Sequence, residues 1–120
     1  MSDAPWPTEI RLRPDRRALA VTFDDGSRYD LQAELLRVLS PSAEVQGHSP
    51  DQRKTVAGKK DVTIAAVTPV GNYAVRLTFS DRHDSGLYTW SYLRKLGTER
   101  EALWAAYLRE LEQKGMSRTS

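Results

Sequence analysis

The sequence predicts an α+β domain: a small sheet of about five short, mostly antiparallel strands with two or three helices packed against it. Three observations carry this. Apolar and polar residues alternate around 19–23 and 73–79, the period of half-buried strands. Turn chemistry punctuates them at short intervals, as in Asp24-Asp25-Gly26 and Pro69-Val70-Gly71-Asn72. The segment after residue 98 changes to helical spacing, with Leu103, Trp104, Tyr107, Leu108 and Leu111 on one arc.

Taken in order, residues 1–7 read as a disordered lead, with two prolines around Trp6. Ile10 and Leu12 alternate with Arg11 and Arg13 as a first strand, and Pro14-Asp15-Arg16-Arg17 turns the chain. Leu19, Val21 and Phe23 form the buried side of a second strand, and Arg28 to Leu31 returns as a third. Asp30 is placed to cap a helix from about Leu31 to Leu39, whose Leu31, Leu35, Leu36 and Leu39 make an apolar stripe. Pro41 ends it, because the residue before a proline is pushed from helical geometry.

Residues 40–61 show no period, which predicts a long irregular loop. Val62 to Thr68 is apolar or small at nearly every position, the mark of a central strand covered on both faces. Tyr73, Val75, Leu77 and Phe79 point inward from the next strand. Leu87-Tyr88 is a short extended piece before a two-turn helix, Trp90 to Leu96, stopped by Gly97. Thr98 and Glu101 have the spacing of a capping box for the last helix, which ends at Gly115, leaving 116–120 frayed.

Composition excludes several chemistries. The 120 residues make one domain, and 18 basic against 16 acidic residues give a net charge of +2. With no cysteine there is no disulfide, thiolate zinc site, cysteine-ligated cluster or cysteine nucleophile. No apolar run is long enough for a transmembrane helix and no signal-peptide pattern opens the chain, so the expected location is cytoplasmic. The basic groups Arg11, Arg13, Arg16, Arg17 and Arg53, Lys54, Lys59, Lys60 read as solvated faces, so nucleic acid is not the expected partner.

His83, between Asp81 and Asp84, has two readings. It binds a metal or moves a proton, or it holds its loop by hydrogen bonding with Asp84 capping an amide. Glu44, His48 and Asp51 could join it in a two-histidine, one-carboxylate set, although His83-Asp84 adjacency departs from the spacing of iron oxygenases. No serine stands in a Gly-x-Ser-x-Gly elbow. Gly58-Lys59-Lys60 lacks the upstream glycine and the hydroxyl residue of a phosphate loop. Tyr73, Tyr88, Trp90 and Tyr92 are a stacking platform, core residues or partner anchors.

Leu36-Arg37-Val38-Leu39-Ser40-Pro41-Ser42 running on to His48, then Pro69-Val70-Gly71-Asn72-Tyr73-Ala74, then His83-Asp84-Ser85-Gly86-Leu87-Tyr88-Thr89-Trp90 resemble the DUF971 family. That family is similar to the N-terminal domain of gamma-butyrobetaine hydroxylase. The resemblance covers roughly 8–97, leaving 98–115 as an added amphipathic helix packed on the domain. It implies a zinc held by three cysteines and one histidine, at positions occupied here by Ser40, Ser42, Val45 and His83. Only the histidine matches. The family also occurs fused to an ATPase-type iron–sulfur scaffold in plastids, which implies an accessory role in cluster assembly or delivery.

The resulting expectation is a non-catalytic accessory or protein-interaction domain with no cofactor. Its partner face would combine Arg37, His48, Asn72, His83, Asp84 and Trp90: Trp90 for apolar contact, Arg37 and Asp84 for charge, His83 to fix the loop. The alternative is a metal-binding protein holding iron or zinc through His48, His83 and nearby carboxylates.

Overall fold

The computed structural model describes residues 6–47 and 53–119. It contains two three-stranded antiparallel sheets, where the sequence predicted one sheet of about five strands. The first comprises β1 (Pro7–Leu12), β2 (Ala18–Phe23) and β3 (Arg28–Gln32), and the second β4 (Ile64–Val70), β5 (Ala74–Phe79) and β6 (Leu87–Thr89). Helix α1 (Ala33–Val38) and the one-turn α2 (Ala43–Gln46) lie between the sheets in sequence, and α3 (Trp90–Thr98) and α4 (Arg100–Gln113) follow. No helix among the described residues is long and apolar enough to cross a membrane.

Both sheets feed one core. The central strands β2 and β5 contribute Leu19, Val21, Phe23 and Val75, Leu77, Phe79, which meet Leu36, Tyr88, Leu93 and Leu96. The alternating pattern therefore does what its period dictates, each such side chain contributing roughly 2 kcal/mol on full burial. A second, smaller cluster joins Val38 on α1 to Tyr107 and Leu111 on α4.

Several local expectations are corrected. β4 is an edge strand, with Ala65, Ala66, Thr68 and Pro69 exposed. Small residues leave little apolar area in water, and an edge tolerates the amide that Pro69 lacks. Tyr73 belongs to the β4–β5 turn and is 50% exposed. Helix α3 runs through Gly97, whose ideal Cβ would lie 2.5–2.8 Å from the Tyr29 ring. Glycine is there for close approach and not as a stop.

Thr98 ends α3, and its hydroxyl donates to the Lys95 carbonyl; Glu99 precedes α4 without a side-chain cap. Asp30 is held by a forked pair with Arg13, and Leu31 and Gln32 stay paired with Leu19 and Ala18 in β3, so α1 starts two residues later than expected, after an uncapped Gln32. Leu108 is exposed on the outer side of α4.

The flanks are also more ordered than the sequence suggested. Trp6 and Asp24 exchange backbone and side-chain hydrogen bonds, and Pro7 opens β1; residues 1–5 lie outside the described residues. Of the irregular stretch 40–61, Arg53 and Thr55 bond Glu110, and Tyr107 donates to the Val56 carbonyl. Met116 donates to Leu111, while Ser117 and Arg118 accept from Gly58 and Lys60, which holds residues expected to fray.

Candidate functional site

The exit from α1 and the loop after β5 meet in a buried polar cluster. Ser40 Oγ lies 2.8 Å from His83 Nε2 and Ser42 Oγ lies 3.4 Å from it. Ser40, Ser42 and His83 are all buried, an environment where polar groups must find partners. Ser42 donates its amide to Ser40 Oγ, and the Gln46 amide donates to the Ser40 carbonyl. Gly86 makes the approach possible, since a Cβ there would sit 2.5 Å from Ser40 Oγ.

His83 is fixed from its backbone as well. Its amide donates to Asp81 Oδ1, and its carbonyl accepts from Phe79. Thus Asp81, and not Asp84, supplies the carboxylate that turns this loop. Asp81 Oδ2 accepts from Arg37 Nε and Lys59 Nζ, each at 2.7 Å. Burial alone would raise the Asp81 pKa, but bonds from Lys59, Arg37 and the His83 amide outweigh it and hold the group at about 2. Arg37 Nη1 is buried without a hydrogen-bond partner among the described residues.

Two phenols complete the wall. Tyr88 donates to the Leu36 carbonyl and Tyr92 to the Leu39 carbonyl, satisfying groups at the end of α1 that the helix itself leaves open. Burial pushes both phenols above their ordinary pKa.

The cluster tests the two chemistries proposed for it. The positions that the resemblance assigns to a zinc do come together at Ser40, Ser42 and His83, and Val45 is buried one turn beyond. Two neutral hydroxyls, a valine and one imidazole do not fit that zinc, which needs deprotonated ligands. Among the described residues no three His, Asp or Glu side chains cluster as a metal site. His48 and Asp51 lie outside those residues. Ser40 and His83 have the separation of a nucleophile and its base, yet Ser40 is completely buried.

The remaining predicted partner residues sit elsewhere. Trp90 Nε1 donates to the Asn72 carbonyl and the Trp90 amide to the Tyr73 carbonyl, tying the start of α3 to the β4–β5 turn. That is the opposite end of β5 from His83, about 17 Å away by strand rise. Arg37 and His83 are brought together; Trp90 and Asn72 meet elsewhere, beside the half-exposed Tyr73, while Leu87, 38% exposed, lies opposite Arg76 on the edge strand β6. Asp84 is exposed.

The basic groups are drawn into local contacts: Arg11 with Glu9, Arg13 with Asp30, Arg17 with Asp61, and Arg16 with the Ala65 carbonyl. One polar constellation escaped the sequence altogether. Glu34 is buried on α1 and forks to Arg118, which lies over Trp104. A lone carboxylate inside the apolar 31–39 stretch was the only available signal; nothing marked its partner 84 residues away.

Known proteins place this architecture. Residues 10–94 match the family described as gamma-butyrobetaine hydroxylase-like, N-terminal. Two NMR solution structures are each 47% identical in sequence, with TM-scores of 0.81 and 0.83. They cover 95% and 98% of this chain, and 90% and 88% of their own. A crystal structure of a DUF971-family protein of unknown function from Acidithiobacillus ferrooxidans is 42% identical, with a TM-score of 0.64 over 76% of this chain and 91% of that one. No functionally curated protein matches.

Proposed function

Because this chain belongs to the gamma-butyrobetaine hydroxylase-like N-terminal family, we propose that it is a non-catalytic protein-interaction domain, an accessory in iron–sulfur cluster assembly or delivery. One observation carries the interaction reading: the β4–β5 turn presents Tyr73 half exposed beside Trp90, with Leu87 exposed on the adjacent edge strand. A rigid turn with aromatic anchors loses little entropy on docking. Trp90 is held by its two bonds to the turn, so the surface is preorganised. The iron–sulfur part rests on the family's fusion to a cluster scaffold. A non-catalytic role is supported by the closed Ser40–His83 pair, which is packed away from any substrate.

The test is affinity capture of the purified iron–sulfur scaffold of the same source by the untagged domain. Tyr73→Ser and Trp90→Ala are expected to lower capture by about tenfold or more, as loss of interface anchors does, while Arg11→Ala leaves it unchanged. Unchanged capture in both turn variants would sink the proposed surface. The metal-binding alternative is tested by iron and zinc analysis of protein purified without chelator. Near-stoichiometric metal that disappears in His83→Ala would replace the interaction reading.

A further inference from the structure

A second recognition site lies away from the Asn72–Trp90 surface, where α1 and α4 face the segment after α4. Glu34 is the carboxylate at its floor, with only 7% of its side chain exposed. Arg118 places two guanidinium nitrogens on it, at 2.7 and 2.9 Å, and stacks 5.2 Å from the centre of the Trp104 ring. The fork matches a planar guanidinium and would not be reproduced by lysine.

The two halves of this contact differ. The receptor half is built into the fold: Ala33, Leu35 and Leu36 beside Glu34 are buried, and Trp104 is held against Tyr107 at 5.3 Å between ring centres. The ligand half is superficial. Arg118 keeps 40% of its side chain exposed, and the 117–118 backbone is held by the Gly58 and Lys60 amides. A cavity of about 490 Å³ continues from the guanidinium between Leu35, Val62 and Trp104, with Arg17, Lys60, Arg100 and Glu101 around it.

From this geometry we propose that the Glu34–Trp104 pocket is an arginine-recognition site for a protein partner, covered in cis by the chain's own Arg118. The partner supplies an arginine whose guanidinium replaces that of Arg118 and whose carbonyl accepts from the Lys60 amide. Because Arg118 is tethered next to the pocket, it competes at high effective concentration, and the site opens only to a partner that displaces it.

The test uses Arg118→Ala in a Trp6→Phe, Trp90→Phe background, which leaves Trp104 as the sole indole of the three in the chain. Fluorescence is titrated with Nα-acetyl-arginine-N-methylamide, its citrulline counterpart and agmatine. The arginine diamide is expected to saturate the signal, binding about tenfold or more tighter than the uncharged citrulline compound. It should also bind tighter than agmatine, which has no carbonyl for Lys60. Restoring Arg118 should weaken the diamide by about tenfold or more, and Glu34→Gln should abolish it. Equal binding of citrulline overturns the site, and equal binding with Arg118 present overturns the cis cover. Agmatine binding as tightly as the diamide would assign the pocket to small guanidines and overturn the protein partner. If Arg118→Ala alone does not fold, recovery of folded protein with each compound makes the same discrimination, and no rescue by the diamide overturns the proposal.

Discussion

At the scale of single residues, this molecule is decided by where it cannot carry a Cβ. Gly97 sets two effects against each other. Alanine in a helix interior is favoured over glycine by about 1 kcal/mol, but the new methyl would stand 2.5–2.8 Å from the Tyr29 ring. That ring is backed by Phe23 at 6.0 Å and faced by the Arg94 guanidinium, so it has little room to retreat. Overpacking of this kind costs about 1–3 kcal/mol, and it wins. Gly97→Ala is therefore expected to lower the urea midpoint; a raised midpoint would show that Tyr29 moves freely. Glu34 makes a related point, since a buried carboxylate survives only where a cation reaches it, here across 84 residues of sequence.

At the scale of elements, the Ser40-to-Gln46 segment and the His83 loop are joined by neutral hydrogen bonds where related domains are implied to use a metal. Restoring the thiolates should restore that chemistry. In this cysteine-free chain, Ser40→Cys, Ser42→Cys and Val45→Cys together are expected to take up about one zinc, released by His83→Ala and read by elemental analysis. A folded triple variant that stays zinc-free would mean that Val45 does not face the cluster. The period of β2 and β5 made those strands legible, because burial of every second residue writes itself into sequence. Gly97, Thr98 and β4 misled for one shared reason. Their local chemistry admits two outcomes, and contacts with Tyr29, Lys95 and open solvent select between them. Of the candidate site, the His83 loop and the 36–48 stretch were legible as motifs. That Trp90 and Asn72 lie at the other end of β5 was not, because motif order carries no distance.

At the scale of the whole molecule, three phenols hold the pieces together. Tyr88, Tyr92 and Tyr107 donate to the carbonyls of Leu36, Leu39 and Val56, linking β6, α3 and α4 to α1 and the loop beyond it. Burial raises all three, Tyr107 to about 12, against 10.0 when unfolded. A raised folded-state value means that the contribution of each is complete below pH 10.0 and is lost above it, that of Tyr107 as pH climbs through about 12. The melting temperature should fall over that range together with phenolate absorbance, and a flat profile would show that the phenols can ionise in place. The order of the strands has a kinetic consequence too. Each sheet is made of strands consecutive along the chain, so each can close through short turns before it meets the other. The Ser40–His83 contact bridges 43 residues and the Glu34–Arg118 pair 84. Closing loops of that length costs more entropy than closing the short turns within each sheet, so refolding should show the two meanders protected from hydrogen exchange before either tie is made.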